Sequence, residues 1–282
     1  MRETPRTTRK ACDNGVFRYH SAHPTGIHDS ENSEVQYTPE PIESYVVNAS
    51  RLQMGFVIGG FCVIAVLVGG IPFGYLIGRL ILKDDIRNHG SGNIGATNVA
   101  RILGWKWGFL VLFLDALKGW IPTLATMLYL RPPCSNELMQ LGIILAGICC
   151  IVGHMYPIWL RLRGGKGVAT ALGVILVIAP LASGIALATF LMVFAATRIV
   201  GLASIISVAS FAVAQMVIMG DKVFVFEQLP MTLFSTLVPA LIVWKHRSNI
   251  VRMLRGDEKK LKAGAGDNEK DKNEDRKPES VE

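Results

Sequence analysis

Apolar residues are concentrated in long uncharged runs between residues 52 and 244, and both ends of the chain are polar. A helix rises 1.5 Å per residue, so about 20 apolar residues cross the hydrocarbon of a bilayer. The pattern therefore predicts an all-α, polytopic membrane protein with about seven transmembrane helices. The predicted spans are residues 52–78, 107–130, 138–152, 168–179, 182–197, 202–219 and 229–244.

Two prolines divide the apolar runs. Residues 167–197 carry no charge and are too long for one straight span, and Pro180 with Ser183 and Gly184 predicts a break into two. Pro72, among small residues, predicts a kink at the end of the first span. The break at Pro180 matters for topology, because a single span there would reverse the orientation of all that follows.

The distribution of basic residues predicts the orientation. The loops after the first, third, fifth and seventh spans are basic, whereas the other loops are short and weakly charged. The positive-inside rule then places the N-terminus outside and the C-terminus in the cytoplasm. The net charge of +7 fits such loops and contact with the lipid bilayer. We expect no nucleic-acid partner, because no nucleic-acid motif is present.

Three regions follow from this pattern. Residues 1–51 are predicted to be a disordered polar tail, residues 52–254 the membrane domain, and residues 255–282 a charged disordered tail. Met54 stands directly before the first membrane run, which suggests a later translation start that would make the first tail dispensable. The intact mass of protein made from the native gene would test this expectation.

The most informative polar stretch between the spans is Gly153–Thr170, which carries Lys166 between Gly164-Gly165 and Gly167. Glycines let a backbone approach a ligand closely, and consecutive free amides form a concave anion site. A helix beginning at Val168 would point its positive end at the same place. This stretch therefore predicts a phosphate site at the membrane surface, with a flexible basic loop as the alternative.

Three further segments on the predicted cytoplasmic side carry similar chemistry. They are Ser91–Arg101, Thr197–Ser204 and His246–Arg252, and each combines hydrogen-bonding side chains with arginine. Together with the glycine stretch they predict a site for two anionic groups at the boundary of cytosol and membrane. Asp115 and Lys118, three residues apart within the second span, are interpreted as a structural ion pair.

Several kinds of site are excluded or disfavoured. The chain has no Gly-x-Ser-x-Gly motif, and Gly164–Gly167 is not a Walker A loop. The five cysteines lack metal-ligand spacing, and Asp84-Asp85 is better interpreted as a solvated loop pair. We therefore expect no metal and no cofactor. A transporter of a phosphorylated small molecule remains the alternative function, although the two halves show no internal repeat.

These motifs, in this order, resemble the membrane-integral, acyl-phosphate-dependent glycerol-3-phosphate acyltransferases of bacteria. The resemblance covers about residues 71–258. Its motifs are Gly70–Tyr75, Ser91–Arg101, Asp115–Gly119, Gly153-His154 with Pro157, Gly164–Thr170, Thr197-Arg198, and His246–Arg252 with Gly256 and Glu258.

The resemblance implies transfer of a fatty acyl group from acyl phosphate to the sn-1 hydroxyl of glycerol 3-phosphate. The products would be 1-acylglycerol 3-phosphate (lysophosphatidate) and phosphate, in the first acylation of phospholipid synthesis. It also implies a cell inner membrane location, with the site on the cytoplasmic face. Acyl phosphate is already activated, so the protein's task would be positioning and charge stabilisation.

The resemblance also implies roles for individual residues. Ser91, His246 and Asn249 would be catalytic, and either His246 or a substrate phosphate oxygen would accept the hydroxyl proton. The chain departs from the family pattern at Gly201, where serine is expected, and at Leu162-Arg163. The implied substrate-binding residues are Gly92, Asn93, Asn98, Arg101, Gly164, Gly165, Lys166, Gly167 and Ser204.

Overall fold

The computed structural model describes residues 42–131 and 135–261, and every regular element in these residues is helical. The chain divides between Met54 and Gly55, and all contacts discussed below lie in the second unit. The α-helices are α1 (Ile42–Gly69), α2 (Phe73–Ile81), α3 (Ala96–Leu103), α4 (Trp105–Leu130), α5 (Asn136–Met155), α6 (Val168–Ile178), α7 (Pro180–Thr197), α8 (Val200–Met219), α9 (Leu229–Lys245) and α10 (Arg247–Leu254). Short 3₁₀ helices lie at Ile86–Asn88, Ile158–Leu160, Gly220–Phe224 and Phe226–Gln228.

Six helical segments in the described part of the chain are long and apolar enough to cross a membrane, and α6 is a shorter apolar helix of 11 residues. Together they confirm the predicted all-α polytopic fold. The break at Pro180 is also confirmed, because α6 ends at Ile178 and α7 begins at Pro180. The six long segments are Leu52–Ile81, Trp105–Leu130, Glu137–Leu160, Pro180–Thr197, Val200–Phe224 and Phe226–Lys245.

The first span is interrupted where the sequence predicts a kink. Helix α1 ends at Gly69 and α2 begins at Phe73, since Pro72 has no N–H to continue the helical ladder. The carbonyl of Ile71 lies in this interruption, where it accepts the N–H of Phe73 at 3.2 Å, and the buried Lys118 of α4 also donates to it, with Nζ and O 2.8 Å apart. A lysine at membrane depth thus connects α4 to the backbone at the proline break.

Helices α4 and α6 approach each other closely through glycine. A Cβ atom on Gly119 of α4 would overlap the carbonyl of Thr170, and one on Gly173 of α6 would overlap the carbonyl of Ala116. Small residues let membrane helices pack backbone against backbone. This contact fixes the start of α6, which carries the glycine stretch, against the middle of α4.

Both predicted tails differ from the structure at their inner ends. Helix α1 begins at Ile42, so residues 42–51 are helical, and the rest of the predicted N-terminal tail lies outside the described residues. After α10, residues 255–261 fold back, and the buried Leu261 donates its N–H to the carbonyl of Arg198 at 2.9 Å. The physical reason is a turn at Gly256, with φ of +78°, followed by one apolar side chain that is buried. Residues 262–282 lie outside the described part.

Candidate functional site

One cavity of about 310 Å³ brings together the four segments that the sequence analysis singled out. It is lined by the loop before α3, the start of α6, the start of α8 and the junction of α9 with α10. Nine of the twelve predicted site residues line it: Ser91, Asn93, Asn98, Arg101, Lys166, Gly167, Ser204, His246 and Asn249. Gly92 and Gly164 line a second cavity instead, and Gly165 packs against His154.

Asn98 holds the first loop in shape. Its Oδ1 accepts the N–H of Ser91 at 2.7 Å, and its Nδ2 lies 2.9 to 3.2 Å from the carbonyls of Asn93, His89 and Ile86. The side chain is 1% exposed. Because its donors and acceptor are already occupied by this loop, Asn98 positions Ser91 at the cavity.

The glycine loop docks on the end of α5. The N–H of Gly165 donates to the carbonyl of His154 at 3.1 Å, and the N–H of Gly164 donates to that of Met155 at 3.3 Å. A Cβ on Gly165 would overlap the ring of His154. These two amides therefore hold the loop in place, which differs from the row of free amides expected from the sequence.

The residues of this loop that line the cavity come immediately afterwards. Gly167 has φ of +86°, a left-handed conformation that favours glycine, and it precedes the first turn of α6. Lys166, Gly167, Val168 and Ala169 all line the cavity. The first amides of a helix have no intrahelical acceptor and carry partial positive charge. The structure thus directs a lysine and the positive end of α6 at the same space.

Lys166 belongs to a chain of polar contacts with α10. Its Nζ donates to Oδ1 of Asn249, and Nδ2 of Asn249 donates to Oε1 of Glu258 at 2.6 Å. The second carboxylate oxygen of Glu258 accepts from Nε of Arg252, also at 2.6 Å. Burial lowers the pKa of Lys166 to about 8, and the positive charge of Arg252 acts in the same direction.

His246 is held as a neutral ring. Its Nδ1 lies 2.8 Å from the carbonyl of Ile242, so Nδ1 carries the proton and Nε2 keeps its lone pair. Burial lowers the pKa of His246 to about 4, with the charge of Lys166 adding to the effect. His246 can therefore accept a hydrogen bond at neutral pH.

Gly201 lines the cavity beside Asn249. A Cβ at this position would lie 2.8 Å from Nδ2 of Asn249, so the glycine leaves room for that side chain. The departure from the family pattern noted at Gly201 thus has a local steric consequence. Ser204, one helical turn further along α8, donates to the carbonyl of Val200 at 2.9 Å.

The cavity also contains residues that the sequence analysis left out of the site. Asp115 and His154 lie on its wall, and Nζ of Lys118 is 2.8 Å from Oδ1 of Asp115. Nδ1 of His154 is 3.7 Å from the same oxygen. All three side chains are at most 4% exposed. The unusual depth of Asp115 and Lys118 in a span was the signal that could have placed them here.

The segment after α10 supplies the remaining wall. Asp257, Glu258 and Lys259 line the cavity, and the burial of Leu261 holds this segment in place. The sequence signals for this arrangement were Gly256 and Glu258 of the family pattern and a single apolar residue in a run of charges.

A family model and individual relatives of known name both match this chain and agree on one family. Residues 59–256 match the family described as glycerol-3-phosphate acyltransferase. A protein of that name from Anaeromyxobacter sp. (strain Fw109-5) is 42% identical over 196 residues, covering 70% of this chain and 92% of the relative. The corresponding protein from Staphylococcus carnosus (strain TM300) is 38% identical over 201 residues, covering 71% and 95%.

Two solved structures that resemble this chain belong to a protein of the same name. The chain is similar to the crystal structure of PlsY (YgiH), an integral membrane glycerol 3-phosphate acyltransferase, in its glycerol 3-phosphate form. The TM-score is 0.63 at 36% identity, and the match covers 73% of this chain and 96% of that one. The lysophosphatidic acid form of PlsY matches with a TM-score of 0.60 at 35% identity, over 72% of this chain and 95% of that one.

The buried pair beneath the cavity generates a stability prediction. Asp115→Asn removes the charge opposite the ammonium of Lys118, and we expect a loss of about 3–5 kcal/mol in the free energy of unfolding. Thermal unfolding in detergent would show it as a lower midpoint. Asp221→Asn, at an exposed aspartate, is the matched control.

A double variant separates the pair from its surroundings. Asp115→Leu combined with Lys118→Met removes both charges, and we expect it to recover a large part of the lost stability, because the carbonyl of Ile71 keeps the N–H of Phe73 as a donor. A double variant as unstable as Asp115→Asn would contradict the ion pair as the source of the effect.

Proposed function

This chain belongs to the glycerol-3-phosphate acyltransferase family and is a membrane-integral acyltransferase, and we propose that its cavity joins a fatty acyl group from acyl phosphate to the sn-1 hydroxyl of glycerol 3-phosphate. The products are lysophosphatidate and phosphate. The observation that carries this proposal is the convergence of Arg101, Lys166 and Arg252 with a neutral histidine in one cavity. Two phosphate groups held near each other require that concentration of positive charge.

The acyl transfer requires no covalent enzyme intermediate. The sn-1 hydroxyl oxygen attacks the acyl carbon, the bond from that carbon to the phosphate oxygen breaks, and the hydroxyl proton ends on the released phosphate. The leaving group is already activated, so the residues serve to orient the reactants and to balance charge. These demands fit a site that is built mainly of cations, amides and hydrogen-bonding side chains.

Individual roles follow from position and charge. Lys166 and the first amides of α6 hold one phosphate, and Arg101 holds the other. Nε2 of His246 accepts a hydrogen bond from the attacking hydroxyl, while Ser91, carried by the loop that Asn98 fixes, contacts the same substrate. Because His246 has a pKa of about 4, it is a weaker base than a phosphate dianion, which favours a substrate phosphate oxygen as the final proton acceptor.

We expect that Lys166→Ala and Arg101→Ala each lower the rate of lysophosphatidate synthesis, by roughly 10- to 100-fold, because each removes a charged hydrogen bond to phosphate. Purified protein in detergent would receive palmitoyl phosphate and labelled glycerol 3-phosphate without acyl-CoA. Labelled lysophosphatidate and released phosphate should appear in equal amounts. Lys222→Ala and Arg131→Ala, exposed residues outside the cavity, are the matched controls.

The outcomes separate three questions. Wild-type rates in both cavity variants would contradict the site assignment. Product formed from acyl-CoA but not from acyl phosphate would overturn the donor while keeping the acyltransferase. No product from either donor would contradict the proposed reaction.

The lowered pKa of Lys166 predicts a pH dependence. The ammonium is charged below its pKa of about 8 and neutral above it, so phosphate binding weakens as the pH rises through 8. We expect kcat/KM for glycerol 3-phosphate to fall between about pH 8 and 9, well below the range of an ordinary lysine. Short reaction times between pH 7 and 10 would measure this fall.

Lys166→Arg tests whether that residue causes the fall. A guanidinium stays charged across this range, so the alkaline fall should move to higher pH even if the absolute rate is lower. An unchanged midpoint in Lys166→Arg would show that another group titrates.

We also propose that the cavity faces the cytoplasm of a bacterial inner membrane, with the C-terminus on the same side. Basic residues support this orientation, because Arg101, Lys166, Lys245 and Arg252 lie at the cavity end of the bundle, whereas the loop between α8 and α9 carries Asp221, Lys222 and Glu227.

Reporter fusions test the orientation. Green fluorescent protein fused after residue 282 should fluoresce, and alkaline phosphatase at the same position should be inactive. Alkaline phosphatase inserted after Asp221 should be active. The reverse pattern would contradict the proposed orientation.

A further inference from the structure

A second cavity, of about 780 Å³, lies beside the first and is not used by the proposed reaction. Its walls are the loop between α2 and α3 and the loop between α5 and α6. It is lined by Tyr75, Asp85, Arg87, Asn88, Gly92, Ile94, Trp159, Leu160, Arg161, Arg163 and Gly164.

The two cavities lie on opposite faces of the same two loops. Ser91, Asn93 and Gly95 line the first cavity, whereas Gly92 and Ile94 line the second. In the other loop, Arg163 and Gly164 line the second cavity, and Lys166 and Gly167 line the first. The arginines of the glycine stretch therefore belong to a different site from its lysine.

The second cavity carries uncompensated positive charge. Arg87 is neutralised by Asp85, with Nη2 and Oδ2 2.6 Å apart, and its guanidinium lies over the ring of Tyr75. Arg161 and Arg163 have no acidic partner among the described residues, and both are exposed. These two arginines therefore give the second cavity a net positive charge, which favours binding of an anion.

The surroundings of these arginines are apolar. Ile158, Trp159 and Leu162 are 63%, 57% and 57% exposed; the first two precede the arginines, and Leu162 lies between them. The loop follows directly on a membrane-spanning segment, Glu137–Leu160. Tryptophan and arginine beside exposed aliphatic side chains are typical of the headgroup level of a bilayer.

We propose that this second cavity binds the phosphate of an anionic lipid headgroup, independently of the acyl-transfer reaction. Arg161 and Arg163 contact the phosphate, Trp159 lies at the glycerol level, and Ile158 and Leu162 contact the acyl chains. Basic residues at the membrane surface attract anionic lipids. The exposed apolar residues select a phosphate attached to a lipid over phosphate in solution, since only a lipid covers them.

The backbone of this loop supports a built site. Arg161 and Leu162 both have positive φ, of 53° and 62°, a conformation that is unfavourable for side chains with a Cβ. The N–H of Leu162 donates to the carbonyl of Pro157 at 3.0 Å, and that of Arg163 to the carbonyl of Leu160 at 3.2 Å. The turn therefore holds the two arginines and Leu162 in a fixed arrangement.

Direct lipid binding tests the proposal. Full-length protein, delipidated in detergent, would be titrated with phosphatidylglycerol, phosphatidylcholine or inorganic phosphate and followed by native mass spectrometry. We expect phosphatidylglycerol to bind at least about tenfold more tightly than phosphatidylcholine. Arg161→Gln with Arg163→Gln should abolish that preference, and Arg161→Lys with Arg163→Lys should retain most of it because the charge is kept.

Arg255→Gln with Lys260→Gln is the matched control, because it removes the same charge at the same end of the bundle outside both cavities. It should keep the preference, and all variants should unfold at the same temperature as the unchanged protein. Equal phosphatidylglycerol affinity in the Arg161/Arg163 glutamine variant would overturn the proposal. So would an equal loss in the control, which would mean that net charge alone attracts the lipid. Arginine-dependent binding of inorganic phosphate without a preference for phosphatidylglycerol would overturn the lipid as ligand.

Discussion

The buried ammonium of Lys118 is the contact on which the cavity end of the bundle depends. It donates to the carbonyl of Ile71 in the break at Pro72, and its Nζ lies 2.8 Å from Oδ1 of Asp115. Asp115 in turn faces His154, whose ring packs against Gly165. One charge at membrane depth thereby links the first span to the loop that carries Lys166, and removing it alone would leave Asp115 as an unpaired charge where water is scarce.

The cavity contains its own counter-ion. Glu258 accepts hydrogen bonds from Asn249 and Arg252, and its negative charge acts on Arg101 and Lys166 as well. In the absence of substrate this carboxylate limits the repulsion among the cations. Such a site is organised before an anion arrives, so little reorganisation is needed for the proposed binding of two phosphate groups.

Apolar length and proline position are local properties, so the spans and the breaks at Pro72 and Pro180 could be predicted from the sequence. The convergence of the polar segments also followed, since their motifs fall at one end of the predicted bundle. The sequence could not predict which polar groups form hydrogen bonds within the protein and are therefore not available to a ligand. The side-chain amide of Asn98 forms its hydrogen bonds within its own loop, and the backbone N–H groups of Gly164 and Gly165 donate to carbonyls at the end of α5. Those partners are fixed only by tertiary packing.

The back-to-back cavities constrain the length of the loop that separates them. From Ser91 to Gly95, successive residues line the first and the second cavity in turn. Inserting or deleting one residue here would disturb this alternation and move Ser91 and Asn93 relative to the first cavity. Surface loops ordinarily tolerate such changes. In this loop the number of residues therefore matters to the candidate site as much as its side chains do.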